Sequence, residues 1–242
     1  MQETAKTTAI VITTYNRGHV LYRAIQSVAA LGLPVLVVDD GSRHDEAQFN
    51  QETCSMYQAK YLRLPENRGL ACALNAGLSY WLADSGFEWI SYLQDDVDVH
   101  PRLIEKMLEA SQRYRCSLYT GHNSPYHPAA ASMNGYFLKK SCAGVHMHAR
   151  AAFWKSVLPI PTFALGAPRR IEGRIKGIGS NADWWIVRDS PHSIKNRGEQ
   201  ICCVPNLVRT FLYKAEDSSW GNALPKGEEP PLRPYHEKTY GN

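Results

Sequence analysis

The sequence predicts an α/β fold: a mostly parallel sheet flanked by helices, followed by a less regular second half. Three observations carry this. Short apolar runs rich in β-branched residues recur through the first hundred positions, stretches with helical spacing separate them, and three of four runs stop at polar or acidic clusters. Ala9-Ile10-Val11-Ile12 has the composition of a buried strand, and Asn16-Arg17-Gly18 ends it. Val20, Leu21, Ala24, Ile25 and Val28 then fall on one helical face. Pro34 precedes a second buried run, Val35 to Val38, which stops at Asp39-Asp40-Gly41-Ser42. A helix over 45–57, a third strand over 60–64 and a helix carrying Leu70, Ala73, Leu74, Gly77 and Leu78 come next. The fourth strand, 88–93, ends in Gln94-Asp95-Asp96-Val97-Asp98, and a helix runs from Pro101 to Tyr114.

Strands that alternate with helices at this interval imply right-handed crossovers, and ligands of such sheets bind beyond the carboxyl ends of the strands. The clusters at 13–16, 39–40 and 95–96 therefore gather along one rim. From Cys116 to Val204 the pattern loosens, with a Pro- and Ala-rich stretch at 125–131 and a basic loop at 169–176. Beyond Ser218 the chain has several Gly and Pro and few aliphatic residues, the composition of a tail or lid. The organisation predicted is one domain over 1–215, with a nucleotide-binding half (1–101), an acceptor half (102–215) and a tail (216–242).

The 242 residues include 27 Lys or Arg and 23 Asp or Glu, a net charge of +4, and 44% are apolar. That apolar fraction excludes a mostly disordered chain and a multi-span membrane protein. The small positive surplus accommodates an anionic substrate but falls short of the basic stripe of a nucleic-acid binder. Six scattered cysteines without a C-x-x-C pair read as reduced thiols of a cytosolic protein. The N-terminus lacks the pattern of a secretory signal, and the most apolar window, Val28 to Val38, is broken by Gly32 and Pro34. A soluble, cytoplasmic protein without a transmembrane segment is expected.

Asp95, Asp96 and Asp98 repel one another unless a cation or strong donors stand among them. Hard oxygen ligands suit Mg²⁺ or Mn²⁺, which share substrate phosphates; a solvated turn before the helix at Pro101 is the plainer account. Asp39 and Asp40, at the end of a buried strand, need partners. A base or ribose would supply them, as would an Asp-Gly turn with Ser42 capping the next helix. Both hold together if Asp40 serves the turn while Asp39 faces the rim.

Four segments in order, Ile10 to Arg17, Val37 to Ser42, Glu66 to Leu70 and Tyr92 to Pro101, resemble glycosyltransferase family 2, whose members have the Rossmann-like GT-A fold. The resemblance implies inverting transfer of a sugar from a nucleotide-sugar donor, with uridine the default base, usually assisted by Mn²⁺ or Mg²⁺. It places Thr13, Tyr15, Arg17, Asp39, Asp40, Arg68 and Asp95 around the donor, and Asp96 and Asp98 at the metal. The chain departs from the family's Asp-x-Asp in having Gln94 at the first acid, which puts the strength of metal binding in question. Thr210 stands where members often carry a metal-binding His.

In the second half, residues 144–153 resemble the strand-then-helix on the family's acceptor side. Asp183-Trp184-Trp185 resembles its acidic-Asp-aromatic motif, with Ala182 in place of the usual acid, and this implies that Asp183 is the general base. Flanking Trp184 and Trp185 offer apolar cover that raises its pKa; the plainer account of Asp183 is a helix-start residue. His146 and His148 alternate on a strand and share one face, where they line an acceptor groove or are solvated. Trp220 lies in a segment that resembles the element closing over the donor. Gly177-x-Gly179-x-x-Ala182 mimics a dinucleotide fingerprint but follows a basic loop instead of a buried strand.

The acceptor implied is a glycan, a lipid-linked glycan, a protein, a small molecule or a modified nucleobase. Two rivals stand beside the glycosyltransferase. A nucleotidyltransferase would need a Gly- and Arg-rich loop where Thr13 to Gly18 holds one Gly. A non-catalytic nucleotide-sugar-binding module would account for Gln94 and Ala182.

Overall fold

A computed structural model describes residues 7–84, 86–124, 127–162 and 182–210, with the backbone of 170, 171, 174 and 175. The first half alternates as its sequence predicts: β1 (Thr8–Thr14), α1 (Gly18–Ala29), β2 (Val35–Asp39), α2 (His44–Met56), β3 (Lys60–Arg63), α3 (Leu70–Leu82) and β4 (Trp89–Gln94). Then come β5 (Val97–Val99), α4 (Leu103–Arg113), β6 (Leu118–Thr120), β7 (Ala129–Met133), β8 (Tyr136–Lys139), β9 (His146–Arg150) and α5 (Ala151–Val157). A small hairpin, β10 (Arg170–Ile171) with β11 (Arg174–Ile175), precedes a short α6 (Ala182–Trp184) and a π-helical turn (Trp185–Asp189). Strands β12 (Ile201–Cys203) and β13 (Val208–Thr210) follow.

Nine strands form one sheet in the order β3-β2-β1-β4-β9-β6-β12-β8-β7. β3, β2, β1 and β4 are mutually parallel. β9 runs antiparallel to both β4 and β6, β12 is parallel to β6, and β8 is antiparallel to β12 and β7. Seven of the nine strands therefore point the same way. The fold is of GT-A type, a large, mostly parallel sheet flanked by helices.

Burial explains why the leading strands read as unbroken apolar runs. Ile10, Ile12, Val35, Val37 and Leu93 pack with α1 and α4 on one face, and Ala9, Val11, Leu36, Val38 and Ile90 with α3 on the other. Each large aliphatic side chain buried this way contributes roughly 1.5–3 kcal/mol. The looser sequence after Cys116 conceals that the sheet continues. β9 enters between β4 and β6, and a second sheet pairs β5 with β13 across about a hundred residues of chain. Pairing over such separations leaves no local periodicity to read.

Chain order turns back beside β1, since β2 and β3 lie on one side and β4 on the other. Thr14 pairs with Asp39 and Thr13 with Gln94, so the three polar strand ends lie abreast at this switch point.

Gly77, in the middle of α3, sets how closely that helix lies on the sheet. A Cβ there would come within 3.0 Å of Val38 Cγ2 and closer still to Val11 Cγ1. Ala is the better helix former by about 1 kcal/mol, yet Gly77→Ala is expected to lower unfolding stability by about 1–3 kcal/mol through overpacking. Urea unfolding measures this, and unchanged or increased stability would contradict the close packing.

Candidate active site

The rim is assembled by two loops that hold each other. Asn16 takes a left-handed conformation (φ 52°), which Asn tolerates better than most residues. Its N–H donates to Ser42 Oγ at 2.8 Å, and its Oδ1 accepts the Arg43 N–H at 2.8 Å. The turn after β1 is thus tied to the turn after β2. Tyr15, at the apex, is 43% exposed, while Thr13 is buried beneath it.

The two acids after β2 divide their work differently from the sequence expectation. Asp39 does not face the rim: it is fully buried, with Oδ1 accepting the Ser42 N–H (2.7 Å) and Oδ2 accepting from Asn50 Nδ2 (2.8 Å) and the Tyr61 hydroxyl (2.7 Å). Burial beside Asp39 raises the Tyr61 phenol, so that hydroxyl stays a donor. Asp40 is the acid at the rim loop, accepting the N–H groups of Arg68 (3.0 Å) and Gly69 (2.7 Å) just ahead of α3. Burial raises its pKa against those two donors. The Arg68 backbone is fixed by this contact, and its guanidinium extends outward, 58% exposed and 4.0 Å from Glu66.

The acids after β4 are also separated by their partners. Asp95 is fully buried and accepts Thr14 Oγ1 (2.7 Å) and Arg17 Nε (3.2 Å) at one oxygen and Arg17 Nη2 at the other. Asp98, which the sequence reading puts at the metal, lies on β5 opposite Arg209, whose Nε donates to it at 2.5 Å. Asp96 keeps a buried Oδ1 without a hydrogen-bond partner. Burial, opposed by Arg17 and reinforced by Asp95, lifts the Asp96 pKa to about 6.

No three His, Cys, Asp or Glu side chains converge as a metal cage among the described residues. The orphaned Asp96 oxygen nevertheless fits a hard cation that shares its remaining positions with phosphate and water. Thr210 pairs with Val97 across the β5–β13 ladder, beside these acids.

Asp183, almost ninety residues further on, belongs to the same constellation. The Tyr92 hydroxyl lies 3.2 Å from Thr13 Oγ1, and burial foremost, with the charges of Asp95, Asp96 and Asp183, pushes its phenol up. Asp183 packs against Gly144, where an added Cβ would stand 3.2 Å from its own, and the carbonyl of the adjacent Val145 accepts the Gln94 N–H (3.1 Å), one residue before Asp95. Asp183 is raised to about 6 by burial, against N–H bonds from Trp184, its own backbone and Gly144. Ala182 is 1% exposed within the apolar core, which accounts for the missing acid at that position. The tryptophans differ from each other: Trp185 packs inward with its indole N–H on Val157 O (2.8 Å), whereas Trp184 is 41% exposed with the Arg188 guanidinium 3.9 Å from its ring.

His146 and His148 share one face of β9, as their alternation predicts, but they line no groove and are not solvated. Both are fully buried. Gly121 N–H donates to His146 Nδ1 (2.8 Å), Ser91 Oγ contacts His148 Nδ1 (2.8 Å), and His148 stacks on Trp89 at 4.8 Å. Burial takes His146 well below its usual range and His148 to about 3, so both are neutral core residues. The basic loop at 169–176 and the tail with Trp220 lie outside the described side chains. Asn50, Tyr61 and Arg209 went unremarked in the sequence, and Tyr92 and Gly144 stood there only as the first residues of family-like segments, without a role. Tyr92 alone had a local signal, a tyrosine inside a buried strand three residues before the first acid, Asp95.

Two open depressions lie away from the rim, one by Lys60, Tyr80 and Asp84, the other by Ser117, Arg150 and Arg197. Both border the opposite ends of the strands, and neither gathers carboxylates.

In an open α/β sheet the ligand crevice lies beyond the strand ends at the switch point, which is where these acids cluster. Residues 9–132, just over half of the chain, match the model of glycosyl transferase family 2, and the chain belongs to that family. Among solved structures, S. aureus TarS is similar at 15% identity with a TM-score of 0.50, over 64% of this chain and 30% of that one. The mannosyltransferase PcManGT from Pyrobaculum calidifontis, in complex with GDP-Man and Mn²⁺, is similar at 12% identity with a TM-score of 0.50, over 64% of this chain and 48% of that one. TarS 1-349 in complex with UDP-GlcNAc aligns at 14% identity with a TM-score of 0.48, over 62% of this chain and 46% of that one. The chain thus matches less than half the length of these proteins. No curated protein matches it significantly. Among the described residues no helix is long and apolar enough to cross a membrane.

If Asp39 is a structural hub, Asp39→Asn is expected to cost roughly 2–4 kcal/mol of unfolding stability, because three buried donors lose a charged acceptor. Unchanged stability together with lost nucleotide binding would return Asp39 to the ligand.

Proposed function

We propose that this chain is an inverting glycosyltransferase that moves a sugar from a nucleoside diphosphate sugar to an acceptor hydroxyl. Family membership supports the reaction class. The single observation that supports the residue assignment is that Asp183 packs on Gly144 while the neighbouring Val145 carbonyl holds the Gln94 N–H, one residue before Asp95 and Asp96. An inverting displacement needs a base across the sugar from the departing diphosphate, and Asp183, near the rim acids but on a separate segment, supports that reading.

In this reading Tyr15, Asp40, Arg68 and Thr13 border the nucleoside, with uridine the base expected and guanosine, seen in the mannosyltransferase neighbour, its alternative. Asp96 holds the divalent cation, which when bound offsets charge on the departing diphosphate. Asp183 takes the proton from the acceptor hydroxyl as it attacks. Its burial keeps its basicity near neutrality, where a general base is most effective. Gly144 positions it through close packing: a Cβ at 144 would stand 3.2 Å from Asp183 Cβ and 3.8 Å from its Oδ2. Trp184 beside it offers a ring to an acceptor.

A base must be ionised to act, so turnover at saturating donor should rise with pH through about 6 and level off above it. Asp183→Asn should reduce turnover by about 10²–10⁴-fold and abolish that rise, with nucleotide binding retained. Nucleotide released per minute, followed across pH, reads both; wild-type turnover in Asp183→Asn would refute the assignment. Gly144→Ala should lower kcat by at least about tenfold through displacement of Asp183, with the donor KM held within about threefold. A change confined to KM would place Gly144 on the donor side instead.

A further inference from the structure

Arg17 is set firmly among the rim acids. Its backbone follows the left-handed Asn16 and opens α1, where its carbonyl accepts the N–H groups of Val20 and Leu21 and the adjacent Gly18 N–H is held by Glu46. Its guanidinium, 21% exposed, spans both oxygens of the fully buried Asp95, and Nη1 stands 3.9 Å from Asp96 Oδ2. A permanently charged planar fork is well matched to a carboxylate in this way. Arg209 holds Asp98, and Thr14 completes Asp95. The protein's own cation thus compensates the cluster, and Asp96 Oδ1 is the oxygen left over.

We propose that Arg17 is a built-in competitor of the divalent cation: by holding Asp95, it reduces the protein's share of the metal site to one carboxylate and makes cation binding conditional on the nucleoside diphosphate. The proposal rests on the nucleotide-sugar reading above. Two adjacent carboxylates with nothing between them would take up a cation unaided. Asp95 is not available for this, because recruiting it would strand a partly buried guanidinium without its counter-charge and set two cations against each other. Diphosphate oxygens resolve both problems, since they supply the missing ligands and the missing negative charge. Arg17 therefore acts as a positioning residue that orders binding, with the cation entering together with or after the donor.

The test is a Mn²⁺ titration followed by electron paramagnetic resonance, with and without UDP or GDP, on wild type, Arg17→Gln, Arg17→Lys and Arg17→Gln combined with Asp95→Asn. Wild type should take up Mn²⁺ appreciably only with nucleotide. Arg17→Gln should bind Mn²⁺ alone at least about tenfold more tightly than wild type does, as a second carboxylate joins the site. Arg17→Lys should stay within about threefold of wild type, since it keeps the charge, and removing Asp95 should cancel the gain. Equal Mn²⁺ uptake by wild type and Arg17→Gln without nucleotide would overturn the proposal. If Arg17→Gln does not fold, wild type decides: equal Mn²⁺ affinity with and without a nucleotide that demonstrably binds overturns it. Failure of UDP and GDP to shift the melting temperature of wild type, with or without Mn²⁺, would overturn the donor reading and this proposal with it.

Discussion

A carboxylate at the end of a buried strand must be given donors, and the form of this molecule's rim follows from that requirement. β1, β2 and β4 are sealed on both faces by helices, so the acids that terminate β2 and β4 emerge where water is scarce. Each is answered differently. Asp39 is answered from within by Ser42, Asn50 and Tyr61, Asp40 by the backbone ahead of α3, and Asp95 by Thr14 and Arg17. These contacts position the loops around the switch point. Asp96 keeps an oxygen without a partner and Asp183 is raised by burial, and these two are the acids to which the proposed reaction assigns metal and base.

Much of this was legible in the sequence because it is local. Buried parallel strands announce themselves as apolar runs, and polar clusters at their ends are placed together by the crossover rule alone. The four leading strands and the helices between them follow from that pattern, as does the gathering of 13–16, 39–40 and 95–96 at one edge.

What was not legible depends on partners far away in the chain. Which of Asp39 and Asp40 turns inward is decided by Asn50 and Tyr61, and the fate of Asp98 by Arg209, which β13 brings alongside β5. His146 and His148 illustrate the same limit. Alternation showed that they share a face, but not that β9 would be inserted between β4 and β6, where both faces are covered and an imidazole is held neutral against Trp89. Likewise, Ala182 looks like a lost acid in the sequence, whereas it lies in the apolar core behind Asp183.

The central claim is that the edge shared by β1, β2 and β4 receives a nucleoside diphosphate sugar. Thermal unfolding in the presence of UDP- and GDP-sugars addresses it most directly, because a ligand bound only by the folded state stabilises it by about 2.7 kcal/mol at a hundred times its Kd. The account predicts a saturable rise in melting temperature with at least one such sugar, larger with Mn²⁺ present, and none with the free sugar or inorganic phosphate. A melting temperature unmoved by every nucleotide sugar, with and without the cation, would contradict it.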